Sequence, residues 1–181
     1  MKRLIRNILA LLIILAIGWI AFNFYNSKEE PINGATIQER LEQIRSRVDK
    51  TEYVSVTAAS RDELDRIVVI QYQFNFTAPL KLFLEARSSQ QQLSIPTQTK
   101  LQKAIKAYRH ALVELFRLTM KYVIPLDPAV RTIIVDIRLP DGSMLRAIGV
   151  VEELKTLPED APDNVWMEKI HFVDLDYIKG P

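Results

Sequence analysis

Cysteine is absent from this chain of 181 residues, which has only two histidines and five glycines. Without cysteine the chain cannot form a disulfide framework, a thiolate metal site or a thiol nucleophile. The glycines lie too far apart for a loop that cradles phosphate. The sequence motifs of common hydrolases and metalloproteases are also missing. We therefore predict that the protein is not an enzyme and that it holds no cofactor or metal.

A large excess of charge of either sign is also lacking. The chain has 24 lysines and arginines against 22 aspartates and glutamates, which gives a formal net charge of +2. Proteins that bind nucleic acid usually carry a strongly basic surface, because that surface attracts the phosphate backbone. The balanced charge therefore predicts that nucleic acid is not a partner of this protein.

A long apolar run is present near the N-terminus, from Ile8 to Phe22. As a helix this run rises about 22 Å, against about 30 Å of bilayer hydrocarbon, so the flanking residues must complete a span. Basic residues precede the run, and aromatic residues that suit the membrane interface lie in it and after it. Residues 1–25 are therefore predicted to form a cytoplasmic tip and a transmembrane anchor, with the determinants Lys2, Arg3, Arg6, Trp19, Phe22 and Tyr25.

The charges around this run predict the orientation of the anchor. Three basic residues precede it, whereas Lys28 after it stands beside two glutamates. The positive-inside rule puts the N-terminus in the cytoplasm, the span in the cell (inner or cytoplasmic) membrane and the rest of the chain outside the cytoplasm. A cleaved secretory signal has the same polarity, with Ala16 and Gly18 as its best small-residue pair. The uncleaved anchor is the favoured interpretation.

Two further parts follow the anchor. Residues 26–35 include Pro31 and the pair Asn33 and Gly34, which are typical of a turn or linker. Residues 36–181 have the length of one ordinary domain that can bury its own core. We therefore predict a short linker and a single extracytoplasmic domain.

A capping box predicts the first helix of this domain. The Thr36 hydroxyl and the Glu39 carboxylate can each accept from an orphan amide at a helix start, and the helix is predicted to run to about Lys50. Its apolar residues have the spacing of a coiled-coil seam two heptads long. Two interpretations stay open: a helix that lies on its own domain, and a juxtamembrane helix that self-associates into a homodimer through Ile37, Leu41, Ile44 and Val48.

Alternating apolar and polar residues predict the first strands of the domain. These strands are predicted at 53–58 and 67–76, separated by a polar turn at 60–65. Segment 80–87 also alternates, but Pro79 before it is compatible with the start of a short helix. We favour a strand slightly for this segment.

A second group of strands is predicted near the C-terminus. Segments 130–139 and 143–151 are predicted to form a hairpin, because Pro140 sets the turn and Gly142 accepts a positive φ. A last strand is predicted at 165–173, after a proline-rich acidic loop.

The longest predicted element is a helix from Lys100 to Val123, capped by Thr99 and stopped by Pro125. Its broad apolar stripe requires a partner, for which one face of the sheet is the natural choice. The order of elements predicts an α+β domain in which a curved antiparallel sheet packs on this one long helix. In this order the domain resembles cystatin-like and NTF2-like folds, and the periplasmic domains of some bitopic secretion-channel subunits. The resemblance is architectural and implies no function.

Basic side chains are predicted on the face of this helix that is opposite the apolar stripe. This pattern is typical of a helix face that is simply solvated, which is the favoured interpretation. A face that binds a partner is the alternative. The candidate partner-binding residues are Lys103, Lys106, Arg117 and Lys121.

These features favour a non-catalytic, single-pass membrane protein that is an accessory or scaffold subunit of a membrane or envelope complex. Its predicted partners are the lipid bilayer, other membrane or envelope proteins and, in the self-association interpretation, a second copy of the chain. The alternative is a membrane-tethered domain that binds or senses a small molecule or, less favoured, an enzyme. That function would use a pocket between the sheet and the long helix, lined by Tyr72, Tyr108, Trp166 and His171.

Overall fold

The computed structural model describes residues 31–49, 53–77, 82 and 95–174. Within these ranges the predicted α+β class is confirmed. The helices and strands follow in the order α1 (Ile37–Val48), β1 (Val54–Leu64), β2 (Ile67–Phe76), α2 (Ile95–Tyr122), β3 (Val130–Arg138), β4 (Met144–Val150), α3 (Val151–Leu154), α4 (Asp163–Met167) and β5 (Ile170–Asp174).

The five strands form one mixed sheet in the order β1-β2-β3-β4-β5. β2 and β3 are parallel, with Val69 opposite Thr132 and Phe74 opposite Ile137. The other neighbouring pairs are antiparallel. The prediction of an antiparallel sheet is therefore wrong. The parallel pair also contradicts the arrangement on which the resemblance to cystatin-like and NTF2-like folds rested.

The long helix α2 explains the parallel pair, because it connects β2 to β3. A helix of 28 residues is about 42 Å long, which is enough to return the chain along the whole length of a strand. β3 therefore starts at the same end of the sheet as β2, as parallel strands joined by a crossover must. As predicted, α2 covers one face of the sheet: Leu112 and Phe116 share the core with Ile133 and Val135.

A polar pair inside the core joins α2 to β2. Tyr72 Oη and Thr119 Oγ1 lie 2.6 Å apart, and the Thr119 hydroxyl is also 2.6 Å from the Leu115 carbonyl oxygen. Thr119 donates to Leu115 and accepts from Tyr72, so both hydroxyl groups are satisfied. Burial raises the pKa of Tyr72, since the ionised phenolate would be desolvated.

The first helix, α1, begins as predicted. Thr36 Oγ1 accepts from the Glu39 amide at 3.2 Å, and Glu39 Oε2 accepts from the Thr36 amide at 3.1 Å. α1 packs against β1 and α2, and Arg40 Nη1 donates to the Tyr122 carbonyl at 2.8 Å. The capping-box prediction is thus confirmed.

The first hairpin differs from its prediction. β1 continues to Leu64, and the turn consists of Asp65 and Arg66, with φ angles of 49° and 69°. A two-residue turn with positive φ at both positions matches the twist of hairpin strands. Residues 60–64, which lie in the segment 60–65 predicted to form a turn, instead continue an edge strand that has an exposed face.

The second hairpin is confirmed. β3 and β4 pair from Thr132 opposite Val150 to Arg138 opposite Met144. In the turn, Gly142 has a φ of 85° and its amide donates to the Leu139 carbonyl at 2.9 Å. The short helix α3, which starts directly after β4, was not predicted.

The bounds of α2 are partly those predicted. The helix ends at Tyr122, before Pro125, but it begins at Ile95 rather than at Lys100. Thr99 therefore lies inside the helix and is not its cap. Pro96 falls in the first turn, where a missing amide hydrogen is tolerated.

The last predicted strand is wrong over its first half. Residues 163–167 form α4, which begins after Pro162, and β5 starts only at Ile170. The earlier ambiguous segment, 80–87, lies outside the described residues except for residue 82.

Candidate functional site

A cleft of about 300 Å³ lies between the C-terminal half of α2 and the segment that runs from α3 to α4. Small concave sites with mostly apolar walls and a few polar groups are the usual form of binding sites in proteins. Here the lining residues are Arg117, Met120 and Lys121 of α2, with Leu154, Lys155, Leu157, Glu159 and Trp166 of the facing segment.

The facing segment is fixed at both ends by buried side chains. Leu154 at the end of α3 is 1% exposed, and Trp166 in α4 is 2% exposed. Between them the Ala161 amide donates to the Pro158 carbonyl at 3.1 Å, and the Val165 amide to the Pro162 carbonyl at 3.0 Å. These two proline-led turns bring the segment back onto α2.

Arg117 connects α2 to this segment. Its Nη2 donates to the Ala161 carbonyl at 2.8 Å and lies 3.4 Å from Asp163 Oδ1. Its Nη1 donates to Glu114, one turn earlier on α2. The guanidinium carbon lies 5.5 Å from the centre of the Trp166 ring, a cation–π contact. Arg117 is thus held from two sides.

Two buried N–H groups at the cleft have no acceptor in the part of the chain that the structure describes: Arg117 Nε and Trp166 Nε1. Both atoms can only donate. Leaving a buried donor unpaired is unfavourable by about 1–3 kcal/mol, and such groups are rare in native structures. Both groups belong to residues that line the cleft, and each nitrogen is itself shielded from solvent.

Ion pairs surround the cleft at its solvent side. Lys121 binds Glu159, and this hydrogen bond raises the pKa of Lys121. Lys155 Nζ lies 2.8 Å from Glu152 Oε1, and this hydrogen bond lowers the pKa of Glu152. Exposed pairs of this kind stabilise a fold weakly. Both lysines can therefore exchange their present carboxylates for a ligand at little loss.

The four predicted partner-binding residues lie in two separate places. Lys103 and Lys106 are exposed on the N-terminal half of α2. Arg117 and Lys121 line the cleft near its C-terminal end. Arg117 is largely buried, with 18% of its side chain exposed, and holds its own domain together. The structure brings together two of these four residues.

The predicted self-association seam lies in the core of its own domain. Leu41 and Ile44 are fully buried and Val48 is 6% exposed, while Ile37 packs against the same core and is partly buried. These side chains are occupied within the chain, as in the interpretation of a helix lying on its own domain. Self-association stays a prediction, without these residues as its contact surface.

The four residues predicted to line a pocket between sheet and helix are not brought together. Tyr72 is buried beside Thr119, and Tyr108 packs between Phe74 and Phe76 with ring centres 5.6 and 5.1 Å away. His171 is exposed, 3.6 Å from Glu153, whereas Trp166 lines the cleft. The described ranges contain no group of three or more histidines and acidic residues placed to hold a metal ion.

Sequence reasoning missed most of the cleft. Leu157 and Glu159 lie in the predicted proline-rich acidic loop, and Leu154 and Lys155 lie between that loop and the predicted strand 143–151. Trp166 was assigned to a strand. A proline before an acidic residue, as in Pro162 and Asp163, is a known signal for a helix start. That signal predicts α4, although it does not predict burial of the tryptophan against α2.

The determinants of the predicted anchor, Lys2, Arg3, Arg6, Trp19, Phe22 and Tyr25, lie outside the described residues. Among the helices that the structure does describe, none is both long enough and apolar enough to cross a bilayer.

Comparison with known proteins finds no matching family model, no matching curated protein and no matching solved structure. The fold and the cleft therefore carry the functional argument by themselves.

Proposed function

We propose that the protein is a non-catalytic, single-pass membrane protein that serves as an accessory or scaffold subunit of a membrane or envelope complex. Residues 1–25 anchor the chain in the cell membrane with the N-terminus in the cytoplasm, and the domain outside binds partner proteins. The observation that carries this proposal is the cleft between α2 and the segment from α3 to α4, with its apolar walls and its exposed lysines.

The composition of the cleft supports a protein partner. Tryptophan and arginine are the residues most enriched among those that dominate binding energy in protein interfaces. Here Trp166 and Arg117 are stacked at the cleft, with Met120 and Leu157 beside them and lysines toward the solvent. An apolar centre with a charged rim is the usual anatomy of such an interface. A volume of about 300 Å³ suits one or two side chains of a partner.

The anchor supports a partner in the same membrane. Tethering two binding partners to one surface raises their effective concentration, so a small interface suffices for association. An interface at a cleft this small is weak, and the raised effective concentration of two tethered partners compensates for that weakness.

The second candidate function is a membrane-tethered domain that binds or senses a small molecule. The volume of the cleft lies at the lower end of the range for small-molecule sites, about 300–1,000 Å³. In this case the ligand occupies the cleft and not the packed core around Tyr72.

Copurification of the full-length chain from its native membrane in a mild detergent tests the proposal. The test variant is Lys121→Glu with Lys155→Glu, both exposed at the cleft. The matched control is Lys103→Glu with Lys106→Glu, which changes the same charge on the distant, exposed half of α2.

We expect a stoichiometric protein partner with the wild-type chain and the control, and its loss with the cleft variant. Recovery of the wild-type chain alone as a monomer would contradict a scaffold function. A partner that is lost only with the control would place the binding site on the other half of α2.

A further inference from the structure

We propose that the tip of the first hairpin, residues 64–67, rests together with Leu126 on the surface of a bilayer of zwitterionic lipids. This inference rests on the membrane anchor of the proposed function and adds a second contact between the chain and the membrane. The observation that carries it is a group of exposed aliphatic side chains at the end of the domain where the chain enters.

Three of the five large apolar side chains that are exposed within the described ranges lie at this end of the sheet. Leu64 is 42% exposed, Ile67 45% and Leu126 43%. Leu64 and Ile67 are opposite each other at the turn, and both lie beyond the first pair between β2 and β3, Val68 with Val130. Single exposed apolar residues are normal on a protein surface, whereas a group of them indicates contact with another apolar phase.

Leu126 lies at this end because it belongs to the connection from α2 to β3. Its neighbour Asp127 forms an ion pair with Arg61, which lies near the end of β1. Val130 starts β3 and pairs with Val68, next to the hairpin tip. The connection therefore lies beside the hairpin tip.

The chain enters the domain at the end of α2, which leads directly into this connection. The Gly34 carbonyl accepts from Arg40 Nε at 2.7 Å. Arg40 Nη1 donates to the carbonyl of Tyr122, the last residue of α2, at 2.8 Å. The first residues of the domain are thus joined to the end of the sheet at which β3 begins.

The direction of α1 leads to the same conclusion. Near the start of this helix Gln38 Nε2 donates to the Ala59 carbonyl at 3.2 Å. After its end Asp49 Oδ1 accepts from the Val56 amide at 2.8 Å. α1 therefore runs opposite to β1, and β1 continues for five residues past Ala59. The hairpin tip consequently projects toward the side from which the chain enters α1.

The length of chain before this end is short. In the proposed anchor Tyr25 lies at the outer membrane interface, and an extended chain spans at most about 3.5 Å per residue. Ile32, which is buried in the domain core, therefore lies within about 25 Å of that interface. The end of the domain that carries the exposed aliphatic side chains is thus the end held near the lipid.

The charged residues of the hairpin favour a zwitterionic surface. Glu63 and Asp65 are anionic, Arg66 is cationic, and all three are exposed. Charges of both signs suit headgroups that carry an ammonium and a phosphate, whereas anionic lipids attract clusters of basic residues. Arg66 can keep its guanidinium at the level of the phosphates while its methylene groups lie along the apolar surface.

Spin labelling of the full-length protein in phosphatidylcholine nanodiscs, with one chain per disc, tests this inference. The chain has no cysteine, so a single introduced cysteine carries the only label. The test sites are Leu64→Cys, Ile67→Cys and Leu126→Cys. The matched control is Ile105→Cys, which is 38% exposed and lies about 26 Å along α2 from Tyr122. Oxygen, which dissolves in lipid, and a water-soluble nickel complex report the surroundings of each label.

We expect the three test labels to be more accessible to oxygen than to the nickel complex, and the label at position 105 to show the reverse. Test labels that behave like the label at position 105 would overturn the inference. Shielding of the test labels from both reagents would also overturn it, because that result indicates contact with protein rather than with lipid.

A charged tip provides a second test. Leu64→Asp with Ile67→Asp should make the label at position 126 lose its preference for oxygen, because a carboxylate is unfavourable in lipid. Ile105→Asp with Phe172→Asp changes two similarly exposed apolar residues elsewhere and should leave that label unchanged. A label at position 126 that keeps its preference in the charged-tip variant would contradict a shared contact with the bilayer.

A label in Ile14→Cys separates this inference from the proposed anchor. If that label lies in lipid while the three test labels are accessible to the nickel complex, the anchor stands and the inference alone is overturned. If the label at position 14 is itself accessible to the nickel complex, the anchor is refuted, and the inference with it.

Discussion

Gly149 is the position where the packing of the domain is most sharply testable. It lies in β4, opposite Ile133 and Ile170 of the neighbouring strands. A Cβ added there would lie 2.6 Å from Phe116 Cε1 and 2.8 Å from Leu154 Cδ1. Phe116 is fully buried on α2 and Leu154 is 1% exposed. The glycine is therefore required for the close approach of α2 and α3 to the sheet.

The expected destabilisation by Gly149→Ala follows from two opposing effects. Overpacking a closed core is unfavourable by about 1–3 kcal/mol, because the neighbours must leave their preferred positions. Replacing glycine by alanine in a strand also removes conformational freedom from the unfolded chain, which stabilises the folded state by about 0.5–1 kcal/mol. We therefore expect the free energy of unfolding to fall by about 1 kcal/mol, within a range of about 0–2.5 kcal/mol.

Urea denaturation of the full-length protein in micelles, followed by tryptophan fluorescence, measures this change. Gly142→Ala is the control, since its Cβ meets nothing within 4 Å and only its φ of +85° is unfavourable. Combining Gly149→Ala with Phe116→Leu should lose less stability than the sum of the single changes, since the smaller side chain gives room to the new methyl group. A Gly149→Ala variant that is as stable as the wild type, with no coupling to Phe116→Leu, would refute this account of the packing.

Three further changes test the fold. Thr36→Ala should lower the free energy of unfolding by about 1 kcal/mol in urea denaturation, because it removes the N-cap; no loss would show that the capping box is dispensable. Tyr72→Phe should lower it by about 1 kcal/mol at pH 7, through the lost hydrogen bond to Thr119. Because the pKa of Tyr72 is raised in the folded protein, the Tyr72 hydroxyl stabilises the fold fully below the unfolded pKa of about 10, and this stabilisation decreases above that pH. The difference in the free energy of unfolding between wild type and variant should therefore shrink as the pH rises above about 10. A difference that stays constant with pH would contradict a raised pKa of Tyr72 in the folded protein. Arg146→Leu should lower the free energy of unfolding by about 1–2 kcal/mol, because the largely buried Asp136 carboxylate then loses both hydrogen bonds from the guanidinium. A double-mutant cycle with Asp136→Asn should show positive coupling, and additive effects would argue against the pair.

Local features of the fold could be predicted from the sequence because a few neighbouring residues determine them. The capping box of Thr36 and Glu39 and the turn at Gly142 act within four residues, and both are found as predicted. The apolar stripe of α2 and the alternation of β2 are likewise local patterns. Each of them reports which face of an element is buried.

The sheet topology could not be predicted in the same way, because it depends on where a distant segment returns. Nothing in the alternation of β3 distinguishes a parallel from an antiparallel neighbour. The end of β1 was also missed, because polar residues such as those at 60–63 are equally common in a turn and on the exposed face of an edge strand.

The cleft was partly predictable. Arg117 and Lys121 were selected for their charge, and both line it. Trp166 was selected as an aromatic residue of a different pocket, on a strand. Its burial against Arg117 depends on the two turns after α3, which place residues far apart in the chain in contact. The unpaired donors are a property of that packing and leave no pattern in the sequence.

The most direct test of the central claim is site-specific photo-crosslinking in the native membrane. A photoreactive amino acid at position 157, in the cleft, is compared with the same amino acid at position 106, on the exposed half of α2. We predict a crosslink to one membrane or envelope protein from position 157 only. A crosslink from position 106 alone, or none from position 157, would contradict the claim that the cleft is the binding site.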